Sequence, residues 1–110
     1  MKNTTVISYK SADQWVFNID TNGDNFLSFS HCVDLLRSNP NVIEIEHRPP
    51  WWDNAFFVFN WKSTQLKLIF MEFGGTDLRV SSNIQASFKD EIAELALNLI
   101  KNLDGRTLTK

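Results

Sequence analysis

Two neighbouring apolar runs in the middle of the chain constrain the fold most strongly. Residues 55–61 and 65–73 both carry apolar side chains at consecutive positions, and only Lys62, Ser63 and Thr64 separate them. In the first run, Phe56 and Val58 would lie on one face of an extended chain, with aromatic residues on the other. Strands that are apolar on both faces occupy the interior of a sheet. The runs therefore predict two paired strands at the middle of a sheet.

A further strand is predicted at residues 14–20, where Trp15, Phe17 and Ile19 would share one face. A helix is the alternative, because Ser11 and Gln14 form a capping-box pattern. We favour the strand, since Trp, Val, Phe and Ile are strand-forming residues. Shorter strands are expected at residues 4–9 and 78–82.

Residues 42–47 alternate regularly, with Ile43 and Ile45 on one face and Glu44 and Glu46 on the other. This pattern predicts a strand with one wet face that carries the two carboxylates. The prolines in the following segment exclude a central strand, so a loop is expected at residues 48–54.

Two helices are predicted, at about residues 29–38 and 87–103. In the second, Ser87 is a suitable N-cap and Gly105 is well placed to end the helix. Its core-facing stripe has helical spacing: Phe88, Ile92, Leu95, Ala96, Leu99 and Leu103. The sequence thus predicts an α+β fold: an antiparallel or mixed sheet of four to six strands with two helices, the C-terminal helix packed on one face. The 110 residues fit a single domain spanning 1–110.

Charge and cysteine content exclude several classes of protein. The net charge is −2 and no run of Lys or Arg exists, which argues against non-specific nucleic-acid binding. Cys32 is the only cysteine, so an intrachain disulfide is ruled out. No stretch reaches the ~18 apolar residues of a membrane span, and the N-terminal apolar patch is too short for a signal peptide. We therefore expect a cytoplasmic protein with no membrane partner.

The residues that could carry chemistry do not complete a catalytic site. Cys32, His31 and His47 are too few for a zinc site, which needs about four ligands. An enzyme built on Cys32 and His47 would require both to be exposed and within hydrogen-bond reach. Glu44 and Glu46 could cooperate in acid–base work, but we favour a solvated strand face as the explanation of this pair. We expect no catalytic residue, no metal and no cofactor.

Residues 20–31 resemble an EF-hand calcium loop. Asp20, Asn22 and Asp24 match its first, third and fifth positions, and Ser28 matches the ninth. His31 stands where a bidentate Glu is usual, and the preceding segment is predicted to be a strand rather than a helix. A degenerate calcium module is therefore an alternative to a strand-to-helix turn with Asx capping.

The proline-stiffened segment with Trp51 and Trp52 is the clearest candidate for recognition. Tryptophan is enriched at binding hot spots, where rigid aromatic area is buried at low entropic cost. One or both tryptophans could instead cover the end of the sheet. On the first interpretation, the partner-binding residues are Glu44, Glu46, Trp51, Trp52 and Asp53.

Together these features resemble the small immunity proteins of bacterial contact-dependent growth inhibition and related toxin systems. The similarity lies in size, mild acidity, a compact α+β fold and the acidic and tryptophan residues just named. It implies a protein that binds a cognate toxin domain, most often a nuclease, and covers its active site or substrate groove. A small-ligand-binding or regulatory domain is the alternative from another class, and exposed apolar sheet area would also suit a homodimer.

Overall fold

A computed structural model of the protein describes residues 7–21, 26–49, 54–71 and 74–107. Strands and helices follow in this order: β1 (Ile7–Ser11), β2 (Gln14–Asp20), α1 (Phe26–Arg37), β3 (Val42–Arg48), β4 (Asn54–Trp61), β5 (Thr64–Met71), β6 (Gly75–Ser81) and α2 (Ala86–Thr107). Within these ranges, neither helix is both long and apolar enough to cross a membrane.

The six strands of the described ranges form one antiparallel sheet in the order β1-β2-β6-β5-β4-β3. The two apolar runs are β4 and β5, which pair along their whole length and each have a second neighbour in the sheet. Their predicted position inside the sheet is therefore confirmed. So is the predicted α+β fold with two helices.

Both helices pack on the same face of the sheet. Phe29 of α1 contacts Phe70 of β5, and Phe88 of α2 lies 5.7 Å from Trp61 of β4 between ring centroids. The buried core between helices and sheet also contains Cys32, as its position on the apolar face of α1 predicts. Burial of this aromatic-rich layer supplies the main driving force for folding, at ~25 cal/mol for each Å² of apolar surface.

The opposite face of the sheet has no helix on it in the part of the chain that the structure describes. Val16 and Val58 are buried there, outside the core cluster under the helices. Beside them Arg79 donates to Asp77 over 2.8 Å. The prediction that the first apolar run is apolar on both faces is thus confirmed, because Val58 is 8% exposed although it points away from the helices.

Several boundaries differ from those predicted. The helix α1 begins at Phe26 rather than 29, and the side chains of its first two residues, Phe26 and Leu27, are exposed. Strand β6 begins at Gly75, since Thr76 pairs with both β2 and β5. The helix α2 continues through Gly105, which was expected to end it. Ser87 is not the N-cap, because the carbonyl of Gln85 already accepts the first helical hydrogen bonds.

Candidate functional site

Strand β3 lies at an edge of the sheet and presents apolar side chains to solvent. Ile43 is 66% exposed and Ile45 is 49% exposed. The prediction that these isoleucines lie on the packed face of the strand is wrong. An edge strand has a neighbour on one side only, and among the described strands β3 pairs with β4 alone. We call Ile43, Ile45 and Glu46 the β3 edge surface.

A β-bulge separates the two carboxylates that were predicted to share a face. Glu44 pairs with Phe59, whereas Glu46 pairs with Val58, so Ile45 is an extra residue in β3. Phe59 belongs to the core under the helices and Val58 does not. Directly opposed residues of antiparallel strands share a face, so Glu44 lies on the helix side and Glu46 on the open side. The predicted acidic pair is therefore not formed.

Glu44 is held by an arginine from the end of α1. Arg37 donates from Nε to Glu44 Oε1 over 2.9 Å and from Nη2 to Oε2 over 3.3 Å. The hydrogen bond from Arg37 lowers the pKa of Glu44, and the same bond raises the pKa of Arg37. Both side chains remain partly exposed to solvent. Glu44 is therefore already neutralised within the chain, while no ion pair to Glu46 is found among the described residues.

Arg37 also reaches His47, which the sequence did not single out as its partner. Its Nη2 lies 3.1 Å from His47 Nδ1, and its guanidinium lies 5.5 Å from the ring centroid of Phe57. The His47 ring stacks on Phe29 at 6.4 Å and meets Phe57 edge-on at 5.9 Å. We call Arg37, Glu44 and His47 the Arg37 clasp. No local pattern pointed to it, because its members come from a helix and a strand that only the fold brings together.

The tryptophan candidates lie beyond what the structure describes. Trp51, Trp52 and Asp53 all fall between residue 49, where one described range ends, and residue 54, where the next begins. The predicted loop over residues 48–54 is too long at both ends, because Arg48 belongs to β3 and Asn54 to β4.

Cys32 does not meet the conditions for a nucleophile. It is fully buried, and this burial, together with the negative charge of Asp20, raises its pKa to about 12. A thiol that stays protonated and has no access to solvent is chemically inert. In the described ranges, no three His, Cys, Asp or Glu side chains group in a way that could hold a metal ion.

The segment that resembles a calcium loop connects β2 to α1. Asp20 is the last residue of β2, as predicted, so a strand and not a helix enters the segment. Ser28, already within α1, donates its hydroxyl to the Asp20 carboxylate over 2.5 Å. Residues 22–25, which include the other two matching positions, lie outside the described residues.

The chain has no significant match among protein-family models, curated protein sequences or solved structures.

Proposed function

We propose that this chain is an immunity-type protein that binds a cognate toxin acting in the cytoplasm, a nuclease, and covers its active site or substrate groove. The observation that carries the proposal is the β3 edge surface: two exposed isoleucines beside a carboxylate, at the strand that leads to the tryptophan segment. Exposed branched apolar side chains that adjoin one another on an edge strand are typical of a surface that a partner covers.

The chemistry of this surface matches that partner. A nuclease groove is basic because it holds a polyanion. Glu46 would meet such a groove without first losing an ion pair to any of the residues that the structure describes. Ile43 and Ile45 would supply the apolar contact that is buried at the centre of an interface. Complementary charge would speed association more than it would raise affinity. Glu44 would contribute less to partner binding than the sequence predicts, because Arg37 already holds its carboxylate.

The test is capture of the partner from a lysate of the source organism, followed by a nuclease assay of the captured protein. We expect a 1:1 complex whose nucleic-acid cleavage is inhibited by the added chain. The Ile43→Ser variant should weaken binding by at least about tenfold, equivalent to ~1.4 kcal/mol.

Leu27→Ser is the matched control, since Leu27 is 65% exposed but lies in α1 rather than on β3. It should bind like the unaltered chain. Glu46→Gln should slow association, whereas Glu94→Gln on the exposed side of α2 should not. Equal loss of affinity in Ile43→Ser and Leu27→Ser would reject the β3 edge surface. A captured protein whose activity the chain does not change would reject the immunity function.

A further inference from the structure

The Arg37 clasp joins the end of α1 to the edge strand through three hydrogen bonds. Two run from Arg37 to the carboxylate of Glu44 and one joins Arg37 Nη2 to His47 Nδ1. A guanidinium group carries five N–H donors and no acceptor. The third bond therefore exists only if His47 Nδ1 carries a lone pair, which places the proton of the neutral ring on Nε2.

Protonation of His47 would abolish this arrangement. An imidazolium ring is a donor at both nitrogens, so its Nδ1–H would point at the cationic Arg37. Arg37 and His47 would then be two donors in competition for the oxygens of Glu44. Histidine is the side chain that proteins most often use as a pH-responsive group.

We propose that the Arg37 clasp is a proton-controlled link between α1 and β3. With neutral His47, Arg37 bridges Glu44 and His47. With protonated His47, Arg37 leaves the ring and its bonds to Glu44 weaken. The inference depends on the geometry of the clasp alone and not on the proposed function, but it would make the position of the β3 edge surface sensitive to pH.

The charged groups around the His47 ring either oppose or favour a proton on it. From α1 come Arg37, which opposes the proton, and Asp34, whose negative charge acts on Arg37. From β3 comes Glu44, which interacts favourably with a charged His47. From β4 the ring meets Phe57, which does not titrate. Arg48 is on the opposite face of the sheet, because it pairs with Phe56 rather than Phe57.

Nitrogen NMR of the full chain tests the proposal. Near about pH 8 we expect an unprotonated Nδ1 and a protonated Nε2 at His47. As the pH is lowered to about 5, the Arg37 Nε–H resonance should shift along the same titration curve as the His47 ring. A proton on His47 Nδ1 near pH 8, or an Arg37 resonance that does not follow His47, would overturn the proposal.

Two variants distinguish the pH response of the Arg37 clasp from general effects of acid on the protein. His31→Gln removes the only other histidine and should leave the Arg37 response unchanged. His47→Asn keeps an acceptor close to the position of Nδ1 but does not titrate, so the Arg37 resonance should become independent of pH. An Arg37 response that persists in His47→Asn would contradict the assignment. If His47→Asn does not fold, the protonation of Nδ1 in the unaltered chain still decides the question.

Discussion

Gly75 stands where the backbones of β2 and β6 approach too closely for a side chain. Its φ is +82°, and a Cβ at this position would lie 2.0 Å from the carbonyl oxygen of Asp20. The register between the two strands shifts just there, between Asn18 and Asp20. Glycine is the one residue that tolerates both the positive φ and the close approach.

Replacing Gly75 with alanine should therefore be strongly destabilising. The left-handed conformation alone costs roughly 1–2 kcal/mol for a residue with a Cβ, and the overlap with backbone atoms adds to it. We expect Gly75→Ala to lower the free energy of unfolding by more than about 2 kcal/mol in urea denaturation. Gly74→Ala is the control, since its Cβ would be 3.3 Å from the Met71 Cβ. Similar stabilities of the two variants would contradict this account.

Cys32 should make the protein sensitive to alkali. Its pKa is about 12 in the folded chain, against 9.0 for a free thiol. Between these values the folded state holds a proton that the unfolded state has lost. The contribution of the thiol to stability is therefore fully present below pH 9 and decreases as the pH rises above it. The thiol alone should lower the free energy of unfolding by about 1.4 kcal/mol per pH unit in this window.

Urea denaturation of the unaltered chain and of Cys32→Ala, across this pH window, measures the effect. The alanine variant should start from a lower stability, because it leaves a small cavity, but should lose less stability as the pH rises. All other side chains are the same in both proteins, so the difference between the two slopes reports the thiol. Parallel slopes would show that Cys32 ionises as freely in the folded chain as in the unfolded one.

At the scale of elements, the β4–β5 hairpin has the shortest connection that antiparallel strands allow. Trp61 pairs with Thr64, so only Lys62 and Ser63 form the turn, and both have positive φ, at 51° and 67°. Two consecutive residues with positive φ are the mark of a type I′ turn, which matches the twist of the strands. Neither residue is the Asn or Gly that such a turn prefers. The hairpin is held by strand pairing and by the salt bridge from Lys62 to Glu91 of α2.

Ser63→Gly should consequently stabilise the protein. Glycine adopts positive φ without a steric cost, and we expect a gain of up to about 1 kcal/mol in the free energy of unfolding. Lys62 is left unchanged because it also bonds to α2. Ser11→Gly at the end of β1, where φ is not positive, should instead destabilise slightly. Thermal unfolding of both variants is sufficient, and a lower midpoint for Ser63→Gly would refute the strain at this turn.

At the scale of the whole molecule, the path of α1 decides which strands become edges. The chain leaves β2 on one side of the sheet, crosses through α1 and returns as β3 at the far edge. The meander from β3 to β6 then runs back until β6 pairs with β2. This pairing joins residues 14–20 to residues 76–81 and so connects the β1–β2 hairpin to the meander within one sheet. The β3 edge surface is therefore a product of topology, because the path through α1 places β3 at the end of the strand order.

Local patterns by themselves determined the type of nearly every element. Periodicities of two and of about 3.6 residues are properties of single segments, so β2, β4, β5 and α2 could be predicted without knowing their neighbours. Boundaries were less accurate wherever exposed or pairing residues depart from the pattern, as at Phe26 and Gly75.

The candidate site was decided by tertiary structure. Ile43 is exposed because it lies opposite Asn60, on the face without helices, and because β4 is its strand's only neighbour among the described strands. Whether Glu44 and Glu46 share a face depends on a bulge that forms only against β4. The contact of Arg37 with His47 requires α1 to pack beside β3. Such features arise from pairing between distant segments, and a single segment contains no information about which partner it will meet.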